Sequence, residues 1–126
     1  MGITTIGIAT YVVVTGTNDD GIRILDISVP SSQVSVIELK AGTDTGVCTA
    51  ANGERCLDGP IDVEIATIGS STYAVVAGSL DDGIEIIDIS DPTSPSSTGR
   101  ITDRDDSTRE LEGATGVAIT TIGSST

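Results

Sequence analysis

The chain contains no histidine, tryptophan or phenylalanine, and its two tyrosines are the only aromatics. Without histidine it lacks the commonest general base and the commonest transition-metal ligand, and no Ser-His-Asp set can be assembled. Without large rings, the core has to come from Ile and Val with Ala and Thr. That β-branched set suits half-buried pleated surfaces. No helix-period stretch of useful length occurs. No run of about 18 apolar residues occurs either, so no helical membrane span is expected. Residues 1–5 lack the basic start and long apolar core of a signal peptide. P-loop, dinucleotide and G-x-S-x-G patterns are missing. Basic residues are scarce: six Lys and Arg stand against nineteen Asp and Glu, a formal net charge of −13. Such a polyanion is repelled by nucleic acid and by anionic lipid, so neither nucleic-acid binding nor direct membrane insertion is expected. The acidity reads as solubility, with adaptation to high salt or a cation-rich surface as the alternatives.

What the chain does have is a repeat. Residues 3–28 (ITTIGIATYVVVTGTNDDGIRILDIS) return as residues 65–90 (IATIGSSTYAVVAGSLDDGIEIIDIS), with 17 of 26 positions identical and no gap. A third copy begins at Ile119 (ITTIGSST) and runs to Thr126. Self-similarity at this period signals stacked supersecondary units. The offset between copies is 62 residues and then 54. The extra eight fall in the segment holding Cys48 and Cys56, the only cysteines. An insertion bounded by two cysteines, with Asn52-Gly53 to reverse it, reads as a loop stapled by a disulfide. Such a bridge stabilises by about 2–3 kcal/mol and implies an oxidising compartment. The alternative is a pair of reduced, half-buried thiols; zinc is disfavoured because no second ligand pair exists.

The second copy reads as four strands. Residues 61–68 form an apolar-rich strand, residues 72–79 a second and residues 84–89 a third, and residues 96–102 form a more polar outer one. Gly69-Ser70-Ser71 and Leu80-Asp81-Asp82-Gly83 are turns, the second with Gly83 able to take positive φ. Residues 90–95 form a loop whose two prolines forbid ladder pairing. Four antiparallel strands in about 54 residues is the size of one β-propeller blade. The fold class expected is therefore all-β, a partial propeller of two blades plus the first strand of a third. Blade one covers about residues 1–56 with the Cys48–Cys56 insertion, blade two about 57–110, and the start of blade three 111–126.

Residues 83–95 (GIEIIDISDPTSP) and 21–30 (GIRILDISVP) carry a resemblance to the LVIVD repeat, an aliphatic strand ending in Asp, then a small polar residue and a Pro-containing loop. The resemblance covers nearly the whole chain. It implies a β-propeller from a bacterial or archaeal cell-surface or secreted protein, mostly without assigned activity. Copy one departs from the pattern, with Val29 in place of Asp91 and Gln33 in place of Pro95, so its loop is expected to be less rigidly turned.

Propellers close with about four to eight blades. Met1 aligns with Val63 and Val117 inside the first strand of a blade, and Thr126 aligns with Thr72. Both ends thus fall inside blades. A closed ring of identical chains would put two segments, residues 1–7 and 115–122, in one strand position. A stretch of a longer propeller is therefore favoured over a self-assembling module, and its open flanks are expected to associate.

Departures from the repeat point to sites. Asp62 and Glu64 alternate onto one face of the inner strand, where copy three has Gly116 and Ala118. Two carboxylates could meet a cation or polar ligand in the central channel, against the alternative of a water-filled acidic channel. A hydrolase would need a further group set across the site. Asn18-Asp19-Asp20-Gly21 and Asp81-Asp82-Gly83 lack calcium-loop spacing and read as hairpin turns; Asp103-Arg104-Asp105-Asp106 reads as a solvated loop. Asp26 and Asp88 are expected to cap backbone N–H groups of the following loop. Arg23 and Glu85 hold one repeat position with opposite charge and could pair across neighbouring blades. Tyr11 and Tyr73 read as packing residues between blades.

These features give two readings. One is a non-catalytic, extracellular or cell-surface scaffold that binds protein or glycan partners and packs against further blades of the same or an identical chain. It needs no cofactor, although a calcium-stabilised adhesion module is a variant of it. The other is a propeller hydrolase or lyase with Asp62 and Glu64 in a channel site. Propellers host such enzymes, but that is analogy at the level of fold.

Overall fold

The computed structural model describes residues 1–40, 57–80, 82–102, 111–124 and 126. Among them lie eight strands in two sheets. The first sheet is β1 (Gly2–Ile6), β2 (Ala9–Gly16), β3 (Gly21–Asp26) and β4 (Val34–Lys40). The second is β5 (Pro60–Ile68), β6 (Ser71–Gly78), β7 (Gly83–Asp88) and β8 (Ser96–Thr102). Each sheet is a four-stranded antiparallel meander in chain order. This is the architecture of propeller blades, and the expected second-copy strands fall within a residue of those observed.

The turns follow from local chemistry. β1–β2 and β5–β6 are joined by two-residue loops whose first residue, Gly7 or Gly69, takes a φ of 64° or 65°. A hairpin that follows strand twist needs positive φ there, and glycine supplies it without strain. The Asp-Asp-Gly turn between second and third strands corrects the expectation for Gly83. There Asp20 and Asp82, not the glycines, adopt φ 50°. Gly21 and Gly83 are needed for space. A Cβ on either would sit 2.3 Å from a carbonyl oxygen of the outer strand, that of Leu39 or Ile101.

The two sheets stack face to face on one apolar core. It contains Val13, Ile22, Ile24 and Leu39 from the first sheet, and Val63, Ala74, Val76 and Ile87 from the second, with Leu57 and Ile89. Tyr11 packs against this cluster, as expected of an inter-blade residue, and Tyr73 is half-buried. Gly2 on β1 lies against Ile65 on β5, so close that a Cβ would meet the Ile65 side chain at 2.5 Å. The inner strands of successive sheets thus run side by side. Residues 111–124 continue past the second sheet, with Gly123 at φ 65° repeating the turn of Gly7 and Gly69.

Candidate functional site

Three sets of side-chain bonds hold the blades, and two of them recur in each copy. The first closes the third strand. Ser28 N–H and Ser28 Oγ both donate to Asp26 Oδ1, at 2.8 and 2.6 Å, and Thr10 N–H on β2 donates to Ser28 Oγ at 3.0 Å. In copy two, Ser90 N–H donates to Asp88 Oδ1 and Thr72 N–H to Ser90 Oγ, each at 2.9 Å. The Asp-x-Ser unit thereby satisfies backbone donors where the ladder ends. The serine hydroxyl, and then its N–H, hold the Asp26 and Asp88 carboxyls below the usual range. Both aspartates are the loop caps expected of them.

The second set lies between blades. Gly59 N–H donates to Asp20 Oδ1 at 3.1 Å, and Gly113 N–H donates to Asp82 Oδ1 at 2.9 Å. The aspartate that takes positive φ in one turn therefore fastens the entry to the next blade. Thr15 Oγ1 and Thr17 Oγ1 add bonds to the carbonyls of Ile61 and Pro60, at 3.1 and 2.9 Å.

The third set is Asp62, where copy three has Gly116. Val63 N–H donates to its Oδ1 at 2.9 Å and Val117 N–H to its Oδ2 at 3.2 Å. The Met1 ammonium lies 3.9 Å from Oδ1. Met1, Val63 and Val117 are equivalent positions of three copies, so three inner-strand nitrogens converge on one carboxylate. Glu64 is exposed two residues further along β5. The two candidate ligands thus differ in role: Asp62 faces backbone donors, whereas Glu64 faces solvent.

Arg23 does not reach across the blades as expected. It pairs within its own sheet, Nη2 to Glu38 Oε1 at 3.0 Å, with Lys40 Nζ 3.4 Å from the same oxygen. Arg23 and then Lys40 hold the Glu38 carboxyl low. Arg23 faces Glu38 across β3 and β4, while Glu85 faces Arg100 across β7 and β8. The pair is inverted from one copy to the next, and the inversion is visible in the sequence only when both positions are aligned. Glu85 is buried and accepts from Ser97 Oγ.

The loop of copy one keeps the turn bond of copy two but lacks the bonds that Asp91 accepts there. Ser32 N–H donates to Val29 O at 2.8 Å as Ser94 N–H does to Asp91 O at 3.0 Å. Val29 forgoes only the bonds that Thr93 N–H and Oγ1 make to Asp91 Oδ1. Gln33 Nε2 reaches Pro30 O where copy two has a proline. Cys48, Cys56 and the acidic segment 103–106 lie outside the described residues. Among the described residues no cluster of three or more His, Cys, Asp or Glu is arranged to hold a metal.

Meandering four-stranded sheets, stacked face to face and fastened at each entry, define a β-propeller-like repeat protein. The chain belongs to the LVIVD repeat family, which matches residues 7–39 and 70–103. No curated protein and no solved structure matches it.

Proposed function

We propose that this segment is a non-catalytic scaffold in an extracytoplasmic propeller that presents its loops to a protein or glycan partner. One observation carries the reading. Of the carboxylates that the sequence singles out, Asp20, Asp26, Asp62, Asp82 and Asp88 each accept from backbone N–H groups, whereas Glu64 faces solvent. A carboxylate fixed in that way serves as a fastener, and its proton affinity is lowered rather than raised wherever a shift is resolved. A general acid needs the opposite. The acidic surface and the two cysteines bounding one insertion support an exterior, oxidising location.

Glycan and peptide arrays, run beside a panel of hydrolase and lyase substrates, test the reading. The expected result is selective binding without turnover, lost on deleting residues 49–55. Turnover that disappears in Asp62→Asn or Glu64→Gln would replace the scaffold with the enzyme reading. A melting temperature that rises with calcium and falls with chelator would replace it with the calcium-stabilised adhesion reading. Free-thiol titration of protein secreted by an oxidising host tests the location, with no reactive thiol expected.

A further inference from the structure

Side chains alternate across a strand, so each sheet has two faces, and the registers identify them. The face of the first sheet that carries Val13, Ile22, Ile24 and Leu39, each 0–1% exposed, meets the face of the second that carries Ala74, Val76 and Ile87. The second sheet's face at this junction holds a hollow bounded by Val76, Glu85 and Arg100. Leu57 closes it until about 10 Å³ remains, and is itself only 2% exposed.

Among the described residues, each sheet's remaining face has no such cover. On the first sheet the matching hollow, bounded by Val14, Arg23, Leu25 and Glu38, stands open at about 240 Å³. On the second sheet Ile101 is 56% exposed where its counterpart Leu39 is 0%. Ile84 and Ile86 are half-buried where Ile22 and Ile24 are buried. These faces are complementary halves of an interface that the molecule already makes once.

The filler is present too. Leu111-Glu112-Gly113 matches Leu57-Asp58-Gly59, and the Gly113–Asp82 bond repeats the Gly59–Asp20 bond. Leu111 is therefore carried at the same place on the open face of the second sheet as Leu57 on the closed face of the first. We infer that a second copy of this chain docks there head to tail, its first sheet on the receiving copy's second sheet, with Leu111 entering the open hollow as Leu57 enters the closed one.

One strand position is claimed twice in this pairing, by β1 of the incoming copy and by residues 115–122 of the receiving copy. β1 is paired with β2 at five positions. Residues 115–121 have no ladder. The unpaired segment therefore yields, releasing the Val117 bond to Asp62. The contact is heterologous, so it continues until a ring closes.

Sedimentation velocity of the full chain across a concentration series is the test, with Leu111→Asp and Leu25→Lys as the two halves of the contact. The wild type is expected to associate with rising concentration. Each variant alone stays monomeric with an unchanged far-UV circular dichroism spectrum. Mixed, they form a one-to-one dimer and nothing larger, because Leu111→Asp retains its hollow and Leu25→Lys retains its Leu111. Leu111→Ala, which adds no charge, weakens association in the same direction. A wild type that stays monomeric would overturn the inference. So would single variants that associate like the wild type, or folded variants that stay apart when mixed.

Discussion

Gly83→Ala is the sharpest test of how the blade is built. The new Cβ would sit 2.3 Å from Ile101 O and 2.9 Å from Thr102 Cα, where real Cβ atoms stay beyond 3.0 Å. Strand β8 must then retreat by at least about 0.7 Å, and it is bound by backbone rather than by a flexible side chain. A ladder bond stretched by that amount no longer qualifies as one. Loss of one or two such bonds, with the overpacking strain, costs about 2–4 kcal/mol. For a domain of this size that lowers the melting temperature by roughly 8–20 °C. Gly69→Ala is the control. Gly69 has φ 65° and nothing within 4 Å, so alanine there meets only the left-handed backbone penalty of about 1–2 kcal/mol. Thermal unfolding followed by circular dichroism should rank Gly83→Ala as clearly the more damaging, with Gly21→Ala beside it. If Gly69→Ala proves equal or worse, the space argument fails and the Asp-Asp-Gly turn has some other need for glycine.

The remaining expectations concern the charged fasteners. Asp20→Ala loses both the bond to Gly59 and a residue suited to positive φ, and should cost about 2 kcal/mol; Asp20→Asn, which keeps an acceptor oxygen and tolerates the same backbone, should recover most of it in urea titrations. The carboxyls of Asp26, Asp88 and Asp91 are held low in the folded chain. Their contribution is therefore complete above the ordinary Asp range near about 4 and is lost as pH falls through the lowered folded values. Melting curves should be flat from neutral pH to about 5 and drop below it, and less steeply in Asp26→Asn/Asp88→Asn. Arg23→Glu puts two glutamates opposite each other and should destabilise by about 0.2–1 kcal/mol, with Glu38→Arg restoring the loss as the arrangement of copy two. A double-mutant cycle that shows no coupling would remove that pair from the account.

The period and the β-branched core positions of the chain were enough to read the meander, because a blade's strands follow one another in sequence and each turn carries its own glycine. Asp26 and Asp88 were legible for a similar reason: an Asp-x-Ser cap reaches only two residues. The misreadings arise where the determinant is distant in sequence. Nothing local in Asp82-Gly83 says which residue takes the left-handed backbone. That depends on the outer strand, whose Ile101 carbonyl occupies the space a Cβ would need, eighteen residues away. Arg23 and Glu85, compared at one position alone, suggest a pair between blades. The partner of Arg23 is Glu38, and the inversion appears only when the register aligns Glu38 with Arg100. Asp62 is a ligand candidate because it breaks the repeat, and what the sequence does not show is that the nitrogens of Val117 and Met1, 55 and 61 residues away, lie beside its carboxylate.

This last case bears on where specificity can reside in a repeat protein. A position that recurs must satisfy the same contact in every copy, so its chemistry is fixed by the architecture. Freedom belongs to positions that differ, but a difference is open to a ligand only if no neighbouring copy has absorbed it. Asp62 has been absorbed by Val63 and Val117. Arg23 has been absorbed by Glu38. Glu64, exposed on the same strand as Asp62, has no carboxylate counterpart in either other copy and faces solvent. Glu64→Gln should therefore leave unfolding free energy within about 0.5 kcal/mol of wild type, as surface substitutions away from such features do. Asp62→Asn should weaken the seam between inner strands measurably. The reverse order of effects would mean that the convergence of the three nitrogens contributes nothing, and that Asp62 is held by something other than its neighbours' backbones.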